Sequence, residues 1–325
     1  MLNLDAKQIV GCLTMKGLID SMRASYQRPA TIPQRRVMAL EESGYEAFAL
    51  LPAWNENLIT VKAFTYFPEN HLQDKDSLAS KVLAFDRRNG EPLALLDGKV
   101  LTFWRTAAAS ALAADYLARS DANQLLICGT GNLAPYIAWA YAAIRPLTEV
   151  VVWGRDEKKA RCCVDAIISG SEYQSLPVER QFKVEVATDV NQAVVTADIV
   201  SCVTGAPSPL FACGSVKPGT HIDLIGNHDR DKRECGSELV QKSQVYVDSK
   251  INVLAEAGDL LIPIEEGVFQ EENIQSELPD LCAGRNGGRA DNDAITLYKS
   301  VGSALADLTA VQYVLASYSQ GDRVK

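Results

Sequence analysis

One short segment constrains the fold of this 325-residue chain more than any other, the sequence Gly129-Thr130-Gly131-Asn132-Leu133-Ala134. An apolar run, 125–128, precedes it, and a helix pattern follows over 134–144. In such a G-x-G-x-x-A loop the first glycine permits a tight turn, and the second lets the backbone approach a pyrophosphate. The alanine lets the helix pack closely on the strand, and the helix N-terminus offers N–H groups to an anion. We therefore predict a dinucleotide site, with a ligand-free glycine turn as the alternative.

The surrounding pattern extends this unit into a fold. Beyond residue 121, predicted strands alternate with helices, which is typical of a parallel, doubly wound α/β sheet. These strands are at 124–128, 150–153, 182–187, 198–203, 220–225 and 244–247. The first hundred residues instead predict a small antiparallel sheet, with strands at 46–53, 58–67, 80–86 and 92–96. A helix over 103–119 with Thr102 as N-cap and a tail helix over 307–317 complete the prediction.

Charge and cysteine usage exclude several classes of function. The chain has 32 Lys and Arg against 41 Asp and Glu, a net charge of −9, so a nucleic-acid or anionic-membrane partner is not expected. The longest uncharged stretch, near 137–144, is far shorter than the roughly 20 residues of a membrane span. Eight cysteines are scattered without a C-x-x-C pair, which predicts no metal site, no disulfides and a reducing, cytoplasmic location.

The end of the second predicted strand indicates which dinucleotide binds. NAD sites usually carry an acidic residue there, which bonds the ribose 2′-hydroxyl. This chain has Gly154 followed by Arg155, and a guanidinium matches the geometry of a 2′-phosphate. We predict NADPH as the cofactor. NADH is the alternative, because a shift of one residue would place Asp156 at the ribose, and Arg155 could equally cap the next helix in solvent.

Two cations in the first part of the chain, Arg105 and Lys62, are candidates for binding an anionic ligand. Arg105 would lie in the first turn of the helix that follows Thr102, where a cation opposes the helix dipole and an anion could restore the balance. Lys62 shares a strand face with Phe64 and Tyr66. Such a lysine is more often a snorkelling surface residue than a ligand-binding one.

A series of motifs in matching order resembles the ornithine cyclodeaminase/mu-crystallin family over almost the whole chain. The helix motif at 101–114, LTFWRTAAASALAA, is the most specific of them. The others are Pro33-Gln34-Arg35, Leu51-Pro52-Ala53, Val61-Lys62 with Phe67-Pro68-Glu69-Asn70, Gly129-Thr130-Gly131, Ala197-Asp198-Ile199-Val200, Pro218-Gly219-Thr220-His221-Ile222 and Ser300-Val301-Gly302-Ser303-Ala304.

The resemblance implies roles for individual residues. By position, Arg35 and Lys62 would bind a substrate carboxylate, and Arg105-Thr106 would serve both substrate and cofactor. Ser300-Val301 would lie beside the nicotinamide. Further cofactor contacts are expected, besides the loop 129–133 and the pair Gly154-Arg155, at Thr204, Ile225 and Lys232. The family also implies a homodimer, a Rossmann domain over 119–299, and a smaller α+β domain for dimerisation and substrate over 1–118 plus 300–325.

One departure from the family pattern affects the predicted reaction. Cyclodeaminases carry an aspartate in a Gly-x-Asp context, where this chain has Gly226-Asn227-His228 with Asp229 next. We therefore predict reduction of cyclic ketimine acids, Δ1-pyrroline-2-carboxylate to L-proline and Δ1-piperideine-2-carboxylate to L-pipecolate, with Lys62, Arg105 and His228 as catalytic residues. The alternatives are an ornithine cyclodeaminase or amino-acid dehydrogenase, a non-enzymatic protein that binds NADPH and a small ligand, and a His228 without catalytic duty.

Overall fold

A computed structural model describes residues 1–41, 46–73 and 75–321. The chain divides into two compact units, Met1–Thr106 with Ser303–Lys325, and Ala107–Gly302. The predicted first domain also includes positions 42–45, 74 and 322–325, which lie outside the described residues. Among the described residues, no helix combines the length and the apolar character that crossing a bilayer requires.

Fourteen strands can be assigned in the described part of the chain. They are β1 (Leu2–Leu4), β2 (Arg36–Ala39), β3 (Ala47–Trp54), β4 (Leu58–Tyr66), β5 (Leu78–Asp86), β6 (Pro92–Asp97), β7 (Gln124–Cys128), β8 (Glu149–Trp153), β9 (Lys183–Ala187), β10 (Ile199–Cys202), β11 (His221–Leu224), β12 (Gln244–Val247), β13 (Ile274–Glu277) and β14 (Thr296–Lys299).

Twelve α-helices connect them within the same residues. They are α1 (Ala6–Val10), α2 (Met15–Tyr26), α3 (Gly98–Leu117), α4 (Ala134–Ala142), α5 (Glu157–Ser169), α6 (Ser171–Gln174), α7 (Val190–Thr196), α8 (Ser237–Lys242), α9 (Lys250–Glu256), α10 (Gly258–Glu265), α11 (Leu278–Cys282) and α12 (Ala304–Gly321). Short 3-10 turns lie at Pro68–Gln73, Val178–Arg180, Cys213–Ser215 and Glu271–Asn273.

The first unit is built on a six-stranded sheet of order β1-β6-β5-β4-β3-β2. The predicted antiparallel strands are present, and two short edge strands that the prediction missed flank them; β1 runs parallel to β6. One face carries the buried side chains of β3 and β4, and α2 and α12 pack in this unit. The opposite face is partly exposed and largely apolar, with Leu50, Pro52, Ile59, Val61, Leu83, Phe85 and Leu95 on four adjacent strands.

Helix α3 begins earlier than predicted, and Thr102 is not its N-cap. The helix begins at Gly98, and the Asp97 carboxylate caps it by accepting from the backbone N–H groups of Lys99 (3.1 Å) and Val100 (3.2 Å). Glycine has a low helix propensity, so packing rather than propensity accounts for its presence here. Its backbone lies against Ser80, so that a Cβ on Gly98 would be only 2.5 Å from Ser80 Oγ. Close packing therefore requires glycine at the first helical position.

The second unit contains an eight-stranded, wholly parallel sheet of order β13-β12-β14-β11-β10-β7-β8-β9. The succession β9-β8-β7-β10-β11 is the 3-2-1-4-5 order of dinucleotide-binding sheets, which confirms the predicted Rossmann fold. All six predicted strands are present within two residues of their predicted ends, whereas β13 and β14 were missed. The chain changes direction of winding between β7 and β10, and in such sheets ligands bind at the carboxyl ends of the strands beside that point.

A buried polar cluster holds two helices of this unit on the sheet. Asp223 in β11 is fully buried and accepts hydrogen bonds from Tyr141 Oη of α4 (2.8 Å) and Ser201 Oγ of β10 (2.8 Å). Ser110 Oγ of α3 donates to its other oxygen (3.3 Å). Burial raises the pKa of the Asp223 carboxyl to about 6. On the opposite face of the sheet, alternate residues of β7, β10, β11, β12 and β14 contribute to an apolar core.

Candidate active site

Lys62 lies at the centre of the first unit and is not a surface lysine. It is 3% exposed, on the buried face of β4, so the snorkelling interpretation is wrong. Its Nζ donates to Thr102 Oγ1 of α3 (2.6 Å) and lies 3.5 Å from Asp307 Oδ1 of α12. Two helices and a strand thus fix one buried ammonium group.

Arg105 shares the same carboxylate. Its Nε donates to Asp307 Oδ1 (3.1 Å), and the residue is 7% exposed. Since α3 begins at Gly98, Arg105 lies about two turns into the helix rather than in its first turn. The helix-dipole argument that drew attention to Arg105 was therefore wrong, although the residue does lie beside Lys62 through their common partner.

The electrostatics of this cluster leave positive charge in excess. Burial lowers the pKa of Lys62 to about 8, Asp307 opposes that effect, and the charges of Arg105 and Arg35 add to it. In the described part of the chain, two buried cations, Lys62 and Arg105, therefore share the one carboxylate of Asp307, and the charge of Arg35 also reaches Lys62. The second oxygen of that acid, Asp307 Oδ2, is buried and accepts no hydrogen bond from any described residue. A substrate carboxylate would supply the missing negative charge, and the arginine forks suit its geometry.

In the second unit, the loop between β7 and α4 has the form that a dinucleotide requires. Gly129 has φ +130°, and a Cβ there would lie 2.7 Å from Val203 Cγ2, which follows β10. At Gly131, by contrast, a Cβ would meet nothing within 4 Å, so there is open space for a phosphate. Ala134 is fully buried, which allows α4 to pack close to the sheet. The loop therefore fits the pyrophosphate that it was predicted to bind, with Thr130, Asn132 and Leu133 along it.

The tip of β8 separates the two residues that could determine cofactor choice. Asp156 is the N-cap of α5, where its Oδ1 accepts from the N–H groups of Lys158 (2.9 Å) and Lys159 (3.2 Å). Arg155 is exposed immediately before it, and Gly154 lies against the loop, with the position of a Cβ 2.5 Å from Thr130 Cγ2. The carboxylate is thus engaged in capping, while the guanidinium is accessible at the strand end.

Two buried acids that the sequence analysis missed hold three further predicted cofactor contacts, Thr204, Ser300 and Val301. Glu234 accepts from Thr204 N (2.7 Å) and Oγ1 (2.8 Å), beyond β10. Asp248 Oδ2 accepts from Ser300 Oγ (2.8 Å), Val301 N (3.1 Å) and Gly302 N (2.7 Å), beyond β14. Each acid fixes a loop at the carboxyl end of a strand, where ligands of such sheets bind.

The loop after β11 places His228 at the surface. Its side chain is 62% exposed, and Nδ1 lies 4.0 Å from Asp229 Oδ1. Asp229 in turn forms an ion pair with Lys232 (2.5 Å). Asp229, the aspartate adjacent to the position of the missing cyclodeaminase residue, is therefore engaged by a lysine. Ile225, which is partly buried, leads into this loop.

The structure thus brings the predicted residues together in two groups. In the first unit, Lys62 and Arg105 both contact Asp307. Arg35 is near enough to affect the pKa of Lys62. Thr106, the next residue after Arg105, is also buried. The predicted cofactor contacts from Gly129 to Val301 lie in the second unit. No group of three or more metal-ligating side chains occurs among the residues that the structure describes.

Asp307 is the most important residue that the sequence analysis missed in the first unit. It is an acid with an exposed fraction of 1% on an apolar helix, between the buried residues Ala306 and Leu308. An acidic residue on the buried face of an amphipathic helix was the available signal, because such a charge needs a partner.

Comparison with known proteins agrees with this geometry. The model of the ornithine cyclodeaminase/mu-crystallin family matches residues 3–322. The Delta(1)-pyrroline-2-carboxylate reductase of Colwellia psychrerythraea is 44% identical over 316 residues, 96% of this chain and 98% of the relative. The reductase of the same name from Bacillus cereus is 34% identical over 270 residues, 82% of this chain and 79% of the relative.

A solved structure has the same fold over the whole chain. The Delta(1)-pyrroline-2-carboxylate reductase of Thermococcus litoralis, in complex with NADH and L-proline, superimposes with a TM-score of 0.91 at 31% identity. The match covers 99% of this chain and 98% of that one.

Proposed function

This chain belongs to the ornithine cyclodeaminase/mu-crystallin family, and from that premise we propose that it reduces cyclic ketimine acids with a nicotinamide cofactor. The substrate is Δ1-pyrroline-2-carboxylate, which becomes L-proline, and Δ1-piperideine-2-carboxylate is the second substrate that we propose. The observation that carries this proposal is the buried cluster of Lys62, Arg105 and Asp307, with its excess of positive charge. The names of relatives that cover nearly all of the chain support it.

The residues of the first unit bind and orient the substrate in this proposal. Lys62, Arg105 and Arg35 hold the substrate carboxylate, and Asp307 keeps the first two in place. The reduced nicotinamide, when bound, supplies the hydride to the imine carbon. Orientation of this kind can contribute about 7–11 kcal/mol toward lowering a barrier. The protonated imine nitrogen can take its proton from solvent, so no buried acid is needed for reduction.

Cyclodeamination would require more than the described residues provide at that nitrogen. Loss of ammonia needs an acid–base group, a role worth roughly 10²–10⁴-fold. Asp229 is engaged by Lys232, and His228 is exposed. We therefore propose reduction rather than cyclodeamination, with His228 as an auxiliary group whose loss slows reduction only modestly.

We propose NADPH as the preferred cofactor. Arg155 is exposed at the tip of β8, followed by the exposed Lys158 and Lys159, so three cations surround the start of α5. Of the two carboxylates at this point, Asp156 caps the helix and Glu157 pairs with Arg161. A 2′-phosphate would meet positive charge here, and NADH would lack that contact.

We also propose a homodimer formed through the first unit. Seven apolar side chains share the partly exposed face of the six-stranded sheet, opposite the face on which Lys62 contacts Asp307. Exposed apolar patches of this type mark protein interfaces. The predicted arrangement, with substrate and dimer contacts in the first domain and the cofactor in 119–299, is part of this proposal.

We further propose a cytoplasmic location. All eight cysteines are free, which supports it.

The decisive experiment is a substrate screen with both cofactors. We would follow nicotinamide absorbance with Δ1-pyrroline-2-carboxylate, Δ1-piperideine-2-carboxylate, pyruvate plus ammonia, ornithine and lysine. We expect reduction of the cyclic imines and no ammonia from ornithine. Binding of NADPH and a cyclic imino acid without turnover would instead indicate a binding protein. Stoichiometric ammonia and proline from ornithine would show that the protein is a cyclodeaminase and that a carboxylate acts in place of the missing aspartate.

A further inference from the structure

The carboxylate of Glu234 joins the loops that follow two adjacent strands. Its Oε1 accepts from Thr204 N and Oγ1, beyond β10, and its Oε2 accepts from Gly226 N (3.0 Å), beyond β11. The residue is fully buried. The two loops touch, because a Cβ on Gly226 would lie 2.0 Å from Thr204 N. One side chain therefore fixes the spacing between the carboxyl ends of β10 and β11.

Two further buried charges support this carboxylate. Lys299, the last residue of β14, donates to Asp259 Oδ2 (2.8 Å) and to the carbonyl oxygen of Asn227 (2.5 Å). The other oxygen of Asp259 accepts from the backbone N–H groups of Glu234 (2.7 Å) and Cys235 (3.3 Å). Lys299 and Asp259 are both fully buried. The Asn227 bond means that the cation also holds the loop that carries His228.

Burying three charged groups lowers the free energy gained on folding, so a role other than stability is expected. Removing an ion from water costs several kcal/mol even after pairing, and apolar residues of similar volume often serve stability as well. Here the charges bind backbone groups of the loops after β10 and β11, and Lys299 is itself the last residue of β14. These three strands are neighbours at the edge where ligands of this fold bind, and Thr204, Ile225 and Ser300, which follow them, are predicted cofactor contacts.

We propose that Glu234 is a positioning residue for the cofactor, held in place by Asp259 and Lys299, and that it binds its two loops in the charged form. The proposal rests on the proposed function, since it assigns the loops to a nicotinamide cofactor. Glu234 does not itself contact the ligand in this proposal. It sets the distance between Thr204 and Gly226, so its loss weakens cofactor binding through the loops.

The titration of Glu234 gives a readout that a merely structural role would not move. The pKa of Glu234 is raised to about 7, chiefly by burial, with the Lys299 ammonium lowering it and the nearby charge of Asp259 raising it. The thiols of Cys202 and Cys235 also lie close enough to interact with it. Below this pKa a proton occupies one oxygen, which then can no longer accept one of the loop hydrogen bonds. Cofactor affinity should therefore decrease as the pH falls through about 7.

The test is direct measurement of the NADH dissociation constant by titration calorimetry between pH 6 and 8.5. NADH avoids the titrating 2′-phosphate of NADPH. We expect the wild-type affinity to decrease on acidification, and Glu234→Gln to bind roughly tenfold or more weakly at pH 8, without the pH dependence, since hydrogen bonds to charged groups have about that effect. Glu238→Gln is the matched control, because Glu238 is exposed and pairs only with Lys242 on the helix surface among the described contacts.

Each outcome decides the inference separately from the proposed function. If Glu234→Gln binds NADH within twofold of the wild type, or keeps the pH dependence, the inference is wrong even where the wild type reduces imines. If the wild type binds NADH with the expected pH dependence but reduces no imine, the proposed function fails and the positioning role stands. Should Glu234→Gln not fold by circular dichroism, the wild-type profile decides, and a flat profile overturns the inference.

Discussion

Two buried charge clusters in this molecule differ in how their charges are satisfied. In the second unit, Lys299 pairs with Asp259, and the remaining carboxylate oxygens take hydrogen bonds from backbone N–H groups. In the first unit, Lys62 and Arg105 converge on one oxygen of Asp307, and Arg35 adds a third positive charge. One cluster is complete without a ligand, and the other is short of negative charge. The difference separates charges that hold the backbone from charges that bind a substrate.

Removing a charge from the incomplete cluster should have the largest effect on catalysis. Lys62→Ala is expected to lower kcat/KM for the cyclic imine. The corresponding activation free energy should rise by ~2–5 kcal/mol, because the substrate carboxylate would be left partly unpaired. The NADPH dissociation constant and the melting temperature should change little. Steady-state kinetics with calorimetry check this, and Lys81→Ala on the adjacent β5 is the control, since that lysine is 55% exposed. Near-normal kcat/KM would mean that Lys62 does not bind the substrate, so the first cluster would not differ from the second in function.

Arg155 tests whether an exposed charge outside either cluster also binds a ligand. A charge-assisted phosphate contact is worth ~1.5–3 kcal/mol, so Arg155→Ala should weaken NADPH about ten- to a hundredfold and leave NADH almost unchanged. The two dissociation constants, measured by fluorescence titration, give the result. Arg161→Ala is a suitable control, because Arg161 lies on α5, the helix that follows Arg155, and pairs with Glu157. Equal NADPH affinity in the wild type and Arg155→Ala would mean that the guanidinium merely lies in solvent.

The pH dependence of reduction should come from the incomplete cluster. The pKa of Lys62 is lowered to about 8, so its ammonium loses the proton as the pH rises through that value. We expect kcat/KM to fall about tenfold per pH unit above pH ~8. In Lys62→Arg the same limb should move to higher pH, because a guanidinium remains charged. A limb that stays near pH 8 in Lys62→Arg would assign it to the substrate imine or another group.

A satisfied carboxylate in the core should affect stability alone. Burial raises the pKa of Asp223 to about 6, above its unfolded value of 3.8, so the folded state binds the proton more tightly. Its contribution to the free energy of unfolding is therefore greatest below pH ~4 and falls by at most about 1.4 kcal/mol per pH unit up to pH ~6. Asp223→Asn should lose this slope, as measured by urea unfolding at pH 4.5 and 7. The exposed Asp165→Asn is the control, and parallel profiles for wild type and Asp223→Asn would contradict the assignment.

The sequence predicted local features well, but it did not predict contacts between residues that are far apart along the chain. The loop at Gly129 could be found because its strand, turn and helix are contiguous. Asp307 and Lys62 are 245 positions apart, so nothing local links them. Glu234 lies in a polar stretch, Lys232-Arg233-Glu234-Cys235, where an acid resembles an ordinary surface residue. Its burial depends on how the loop folds back beneath β10 and β11.

The other errors of the sequence analysis are two missed short strands, β13 and β14, and the start of helix α3. β14 has only four residues and follows a segment rich in Asp, Asn and Gly, so it resembles part of a loop. β13 has only four residues as well, two of which, Gln275 and Glu277, are not fully buried. For α3, the prediction began at residue 103, although the buried side chains of Val100 and Leu101 already belong to the helix. In each case tertiary packing outweighed local preference.

The position of β14 has a consequence for how the chain acquires its structure during synthesis. β14 lies between β11 and β12, yet it is the last strand to be made. Until residue 299 has emerged from the ribosome, β12 and β13 have no neighbour through which to join the rest of the sheet. Among the described residues, the buried carboxylate of Asp259 likewise lacks its ion-pair partner until Lys299 has been made. Non-local pairing of this kind slows folding and leaves a strand edge exposed to other chains. The sheet of the second unit should therefore close only after β14 has been made.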